Sequence, residues 1–248
     1  MTISFIQPHL KHLSVMQFST QPALGEAPSN WVKKMGLQNV PNVSRLPSTP
    51  LRRDAIRKIC TDPNQDVLFG YICVMAWGGQ NAGPQGKRHA VMAWKNHSFI
   101  ELKLRALRSN TYDRCQAYNT FRTAPIIPGL GPSFFTKLLY FFSPTPDFYI
   151  MDQWTGRSVN LLTGEHIVRF DGSSPSSSNK GGNYQAFCEE IDELAKLLKL
   201  TGEETEQLLY DGGNRAAVGT WRDYVRSNCI YAHHRMCSRY GHISSRDL

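Results

Sequence analysis

Apolar residues along this chain recur at helical spacing far more often than at the alternating spacing of strands. Ile100, Leu104 and Leu107 mark one helix over 97–107, and Phe134, Phe135, Leu138, Leu139 and Phe142 give another a wide apolar face. Two further helices are predicted at 51–60 and 66–77, around the Asp62-Pro63-Asn64 break. Others follow at 111–121, at 152–162 (closed by Thr163-Gly164) and at 184–200, the clearest amphipathic segment. A short helix starts at Gly202-Glu203, and a long basic one covers 220–240. Period-two alternation is nearly absent, apart from one ribbon at 165–170. The fold class predicted is mainly α: a two-lobed helical bundle with a helical hairpin and little or no sheet. No internal repeat is visible.

The polar stretches divide the chain. Residues 1–50 carry repeated Pro, Ser, Asn and Gln without a sustained period and read as an irregular N-terminal arm packed on a helical domain of 51–248. Residues 78–95 hold four glycines, a proline and three basic residues, which predicts a long, functional loop. Residues 171–182 are rich in Ser and Gly and read as a flexible link. Glu189, Glu190, Asp192 and Glu193 read as a solvated acidic helix face.

Charge and cysteine usage narrow the class. The 248 residues include 28 Lys and Arg against 20 Asp and Glu, a net charge of +8, so polyanions rank first as partners and anionic membrane surfaces second. No apolar run approaches the roughly 20 residues of a spanning helix. Pro8, His9, Lys11 and His12 interrupt any secretory pattern at the start. Six cysteines scattered singly suit reduced thiols. The expectation is a soluble, cytoplasmic monomer with no membrane association and no evident protein partner.

The densest signal is Ile127-Pro128-Gly129-Leu130-Gly131-Pro132-Ser133, a tight turn between two helices that together span 111–142. Glycines let a backbone approach a phosphate without an intervening Cβ, and the helix that follows aims its N–H groups and positive dipole end at the same place. Such contacts position a protein on DNA without reading sequence. Asp152 lies 21 residues past Gly131, at the end of a loop and helix start over 143–157, just after the apolar run Phe148-Tyr149-Ile150-Met151. An Asp opening a helix is commonly an N-cap. Its anionic form is favoured by the helix dipole.

With the hairpin and Asp152 at that spacing, the chain resembles the helix-hairpin-helix (HhH-GPD) superfamily of base-excision DNA glycosylases. Gly131-Pro-Ser-Phe-Phe-Thr-Lys137 is similar to a bacterial branch with an 8-oxoguanine-glycosylase-like fold. The resemblance covers about 30 residues, 127–157. It implies a hydrolase of N-glycosyl bonds that acts on double-stranded DNA containing a modified base, with Asp152 as the catalytic carboxylate. Breaking that bond builds positive charge on the sugar, which a fixed carboxylate stabilises. The resemblance also implies DNA contacts by Gly129, Gly131 and Ser133, and by Arg157, five residues past Asp152, where many members carry Arg.

The departures from the family pattern shape the expected chemistry. Bifunctional members have a lysine where this chain has Ser133, and Lys137 lies four residues later. A phosphate contact or a solvated position is therefore expected for Lys137, and water is expected as the nucleophile of a monofunctional enzyme. Trp154 replaces a phosphate-contacting His, suggesting an aromatic wall or wedge, and Phe135 replaces a small residue beneath the turn. Trp77 and Gln80 join Trp154 as base-pocket candidates, through stacking and amide pairing. Trp77 followed by Gly78 is equally a core Trp before a helix cap. Lys87 and Arg88 are candidates for phosphate contact. The substrate implied is an oxidised purine such as 8-oxoguanine, in repair. A hypermodified phage base such as glucosylated hydroxymethylcytosine, in antiviral defence, is equally permitted. A non-catalytic hairpin module and a bifunctional lyase using Lys137 are the alternatives.

No cofactor or metal is expected. Cys229, His233 and Cys237 recur every four residues on one predicted helix, so the outer two lie about 12 Å apart at ~1.5 Å per residue, too far to share one tetrahedral ion with the middle one. An iron–sulfur cluster needs four clustered cysteines, and this end of the chain has two, Cys229 and Cys237.

Overall fold

The computed structural model describes residues 5–18, 20–78, 83–212 and 219–229. Within them the chain runs through α1 (Gln7–Ser14), α2 (Pro28–Met35), a 3-10 turn (Val43–Arg45), α3 (Arg53–Thr61), α4 (Val67–Gly78), α5 (Gly83–Trp94) and α6 (His97–Ser109). It continues through α7 (Arg114–Arg122), α8 (Pro132–Phe142), α9 (Gln153–Thr163), α10 (Gly181–Leu198), α11 (Gly202–Asp211) and α12 (221–229). Two short strands, β1 (Phe170–Asp171) and β2 (Ser174–Pro175), pair antiparallel and form the one sheet among the described residues. The architecture is mainly helical, as the periodicity predicts.

The centre of the fold is α4. Every residue from Val67 to Trp77 is buried, which is why this helix is apolar on all sides rather than amphipathic. It packs against α2, α3, α6 and α8. α8 is nearly as enclosed, with Phe135 and Leu138 to Phe142 buried, each large side chain contributing about 1.5–3 kcal/mol relative to exposure. The two helices press together where α4 ends. A Cβ on Gly78 would come within 2.9 Å of Lys137 Cε. Core packing thus brings the end of α4 against the middle of α8.

The hairpin joins α7 to α8. Asp113 caps α7 through the Gln116 amide at 2.7 Å, and buried Lys103 on α6 donates to the Thr120 and Thr123 carbonyls at the other end, at 2.5 and 3.2 Å. Ile127 and Leu130 bury the turn. Gly129 adopts φ +82°, and a Cβ there would meet the His89 carbonyl oxygen of α5 at 2.4 Å. The close approach that requires this glycine is therefore to α5. Gly131 is exposed, and a Cβ there would meet nothing within 4 Å, so the start of α8 is open.

Several expectations are corrected. Residues 1–50 are less irregular than expected: α1 and α2 lie within them, each with a proline in its first turn, where the missing N–H costs nothing. Eight residues are too few to display a period, and these helices are held by burial of Leu13, Trp31, Val32 and Met35. The loop expected at 78–95 is mostly α5, whose Ala90, Ala93 and Trp94 are buried, with its glycines and proline near its start. The expected flexible link at 171–182 contains the β1–β2 turn. It is tied down by the fully buried Asn179, which accepts from the Arg169 N–H at 2.9 Å and donates to the Arg169 and Ser176 carbonyls at 2.8 Å. The ribbon accordingly lies a few residues beyond 165–170. The acidic face of α10 is only partly solvated. Glu190 is buried and Asp192 is paired with Arg114 at 2.6 Å.

Candidate active site

Asp152 stands at the end of an extended segment that three elements hold from behind. Arg114 of α7 donates through Nε to the Asp147 carbonyl at 2.8 Å, and Tyr184 of α10 donates its hydroxyl to the Tyr149 carbonyl at 2.8 Å. Tyr149 in turn donates to Asp192 at 2.6 Å. Thr136 of α8 accepts from the Met151 N–H at 3.2 Å. The apolar side chains of 148–151 are buried, so this short stretch is fixed by both packing and hydrogen bonds.

Asp152 then caps α9. Its Oδ1 accepts from the N–H groups of Trp154 and Thr155 at 2.7 and 3.0 Å, while Thr155 Oγ1 accepts from the Asp152 N–H at 3.0 Å. The N-cap role is real, and it uses Oδ1. No hydrogen bond to Oδ2 is found among the described residues. The residue is nearly buried and lines a cavity of about 250 Å³. Capping and a role in the cavity therefore coexist in one side chain.

The cavity draws on the whole chain. Leu24 and Gly25 come from the N-terminal segment, Arg53 from α3, Trp77 and Gly78 from α4, Lys137 from α8, Ile150 from the extended segment, and Glu206 and Tyr210 from α11. Gly25, at φ +77°, lies so close to α4 that a Cβ would fall 2.2 Å from the Trp77 carbonyl oxygen. The neighbouring Glu26 N–H donates to the Ala76 carbonyl at 2.9 Å.

Lys137 is buried and lines this cavity, which corrects the expected solvated position. Side chains on a helix lean toward its N-terminus. Lys137 does so, and its Nζ donates to the Ser133 carbonyl at 2.7 Å. The amine thus returns one turn to the level of the residue whose identity argues against a lysine there. Burial lowers the Lys137 pKa from its ordinary value, with Asp152 and Glu206 opposing that shift.

Across the cavity lies a buried ion pair. Arg53 NH1 meets Glu206 Oε2 at 2.6 Å, and NH2 reaches Oε1 at 3.5 Å. Arg53 also donates through Nε to Gln21 at 2.9 Å and lies over the rings of Trp77 and Tyr140 at 5.1 and 5.2 Å. Burial raises the Glu206 pKa, and Arg53 draws it back.

The remaining candidates separate. Trp77 lines the cavity, its ring edge-on to Phe141 at 5.2 Å. Gln80 lies outside the described residues. Trp154 is not among the cavity-lining residues. Its ring instead carries Arg222 and Arg226, each 5.4 Å away, and Tyr210 supplies the aromatic wall expected of it. Lys87 and Arg88 are exposed on α5. Arg157 packs over Phe170 at 5.3 Å and donates to the Gly172 carbonyl at 3.1 Å. Ser133 is half-buried in the first turn of α8. Of the Cys229, His233 and Cys237 cluster, only Cys229 lies within the described residues. Arg53, Glu206, Tyr210, Leu24 and Gly25 complete the site with no signal in the sequence. None belongs to a local motif, whereas the backward lean of Lys137 follows from helix geometry alone.

A helical protein with an acid and a buried amine in one cavity, and an open-ended hairpin at the start of the helix carrying that amine, is the class these features define. Residues 20–210, more than half of the chain, match the family described as "Putative 8-oxoguanine DNA glycosylase OGG-like protein", and the chain belongs to that family. The matched span includes every residue that lines the cavity. Comparison with curated proteins and with solved structures gave no match.

Proposed function

We propose that the protein is a DNA glycosylase that takes a modified base out of the duplex into the Asp152–Lys137 cavity and breaks its N-glycosidic bond. The observation that carries this reading is the presence of both side chains in one enclosed site. A base inside a duplex is unreachable, so the nucleotide must be extruded before reaction. As the bond to the base breaks, positive charge grows on the deoxyribose, and the Asp152 carboxylate is placed to stabilise it. The open start of α8 at Gly131 suits a backbone phosphate beside the extruded nucleotide.

The nucleophile is reassigned from water to Lys137. Desolvation makes a lysine a better nucleophile at neutral pH, because more of it is the free amine. Its nitrogen forms a bond to C1′ as the base departs with the former bonding pair and takes up the proton the amine loses. The nitrogen lone pair then makes the C1′=N iminium as the C1′–O4′ bond breaks, O4′ leaving with its pair and taking a proton from solvent. The ring-opened sugar remains attached to the protein. Hydrolysis by water is the second reading, favoured by the bond from Lys137 Nζ to the Ser133 carbonyl, which engages the amine.

The cavity, about 250 Å³, lies below the ~300–1,000 Å³ typical of drug-sized ligand sites. That supports an unenlarged oxidised purine, in a repair role, over a base carrying a sugar. The decisive experiment is borohydride trapping on duplexes bearing oxidised or phage-modified bases, with mass spectrometry of the released base. A covalent adduct lost in Lys137→Ala supports the amine. Base release without an adduct restores water. DNA binding without base release from any substrate identifies a non-catalytic hairpin module.

A further inference from the structure

We propose that Gly78 is a positioning residue for Lys137: the missing side chain at the end of α4 leaves the room that sets where the Lys137 amine lies in the cavity it shares with Asp152. This rests on the reading of Lys137 as the nucleophile and adds to it the residue that fixes the amine's place.

Glycine is, after proline, the poorest helix former, so a glycine within a helix has a cause to be found. The backbone supplies none at Gly78. Gly25 and Gly129 hold positive φ and face carbonyl oxygens, whereas Gly78 is the last residue of α4 and is not among the glycines with positive φ. Outside its own helix, a Cβ built there would meet only Lys137 among the described residues, with Cε at 2.9 Å and Cδ at 3.4 Å. The space left by this glycine is thus filled by one side chain, and by the two carbons nearest its amine.

That side chain has little freedom to yield. Lys137 is buried, its Nζ donates to the Ser133 carbonyl at 2.7 Å, and the same atom lies 5.7 Å from the centre of the Phe134 ring. Carbon atoms rest against each other at about 3.5–4.0 Å, so alanine at position 78 drives Cε back from 2.9 Å by roughly 0.6 Å or more, and Nζ with it. The charged groups facing the amine are Asp152 at the start of α9, Glu206 on α11 and Arg53 on α3, with the Tyr210 phenol on the same cavity wall. The two carboxylates favour the protonated amine and Arg53 opposes it, so a displaced amine meets a different balance of the three. A misplacement of about 1 Å costs about a hundredfold in rate, and this smaller one is expected to cost about tenfold.

The test uses the full chain in four forms: wild type, Gly78→Ala, Lys137→Ala and the double variant. Borohydride trapping and single-turnover base release are measured on the duplex that the wild type processes fastest. Duplex affinity, Tm and the titration of Lys137, read by NMR from its ¹³C-labelled ε-carbon, are measured beside them. Gly78→Ala should slow adduct formation about tenfold while duplex affinity stays within about twofold, and should move the Lys137 midpoint by about 0.5 pH or more. In the Lys137→Ala background the same change should leave any residual base release as it was. It should not lower Tm there, because the crowded carbons are gone and alanine is the better helix former. An adduct rate within about threefold of the wild type overturns the proposal, as does an unmoved midpoint, or a loss of base release as large without Lys137 as with it. If Gly78→Ala melts too low to assay, the double variant decides: a restored melt supports the contact with Lys137, and an equally low one overturns it. If the wild type releases a base without forming an adduct, the lysine reading fails; if no duplex releases a base, the glycosylase reading fails. In both cases the midpoint in Gly78→Ala alone decides whether Gly78 places the amine.

Discussion

Asp152 caps α9, and in the proposed reaction it also supplies the stabilising charge; replacing it with Asn separates the two. Asn caps helices about as well as Asp, so the bonds from the Trp154 and Thr155 N–H groups at 2.7 and 3.0 Å have an equivalent acceptor in Asp152→Asn. Only the charge is lost. A unit negative charge about 4 Å from a developing positive one is worth about 4 kcal/mol at an effective dielectric near 20. That corresponds to roughly a thousandfold in rate. Asp152→Ala should lose the same rate and also the cap, costing about 1 kcal/mol, or about 2–4 °C in Tm. The assay is single-turnover base release from the duplex that the wild type processes fastest, paired with thermal melting of all three proteins. The reasoning is refuted if Asp152→Asn keeps its rate within tenfold of the wild type. It is equally refuted if Asn lowers Tm as far as Ala, since the cap would then depend on the charge.

Three further perturbations follow. The Lys137 pKa is lower folded than unfolded, so between the two values the unfolded chain binds the extra proton and stability rises with pH. Lys137→Met should therefore raise Tm most at neutral pH, with a gain that shrinks toward pH ~10.4, as melts across that range would show. Gly25→Ala forces a left-handed residue against the Ala76 and Trp77 carbonyls, and at a cost of at least about 1–2 kcal/mol should lower Tm by several degrees and slow base release; an unchanged melt would mean that the segment is not seated as described. Tyr149→Phe removes the bond to Asp192 behind the extended segment that ends at Asp152 and should cost about 1 kcal/mol in melting, lowering the single-turnover rate more than DNA affinity.

What is legible in the chain is what local spacing encodes. Helices longer than two turns, such as α6, α8 and α10, announce themselves by period, α4 by an unbroken apolar run, and the hairpin and Asp152 by their separation. Two-turn helices such as α1 and α2 do not, because their stability comes from partners far away in sequence. α5 is hidden by glycines that read as breakers yet fall near its start. The unsignalled part of the site has the same cause. Glu206 looks like one more acid in an acidic region, and only the fold reveals that it meets Arg53, 153 residues away. Trp154 misleads because an aromatic two residues past Asp152 suggests a pocket wall, while two arginines of α12 occupy its face. Lys137 is the instructive case, since its position argues for one role and its direction for another.

The cavity wall made by Leu24 and Gly25 has a consequence for when this protein becomes competent. The Gln21 N–H reaches Gln207 across 186 residues, and the floor between them is built from the middle of the chain. Early and late segments must both be in place before the cavity exists, since its lining runs from Leu24 to Tyr210. Contacts of such long range must offset a large loop-closure entropy before they form. The cavity is therefore a property of the folded chain, and loosening either the Leu24–Gly25 segment or α11 opens its wall.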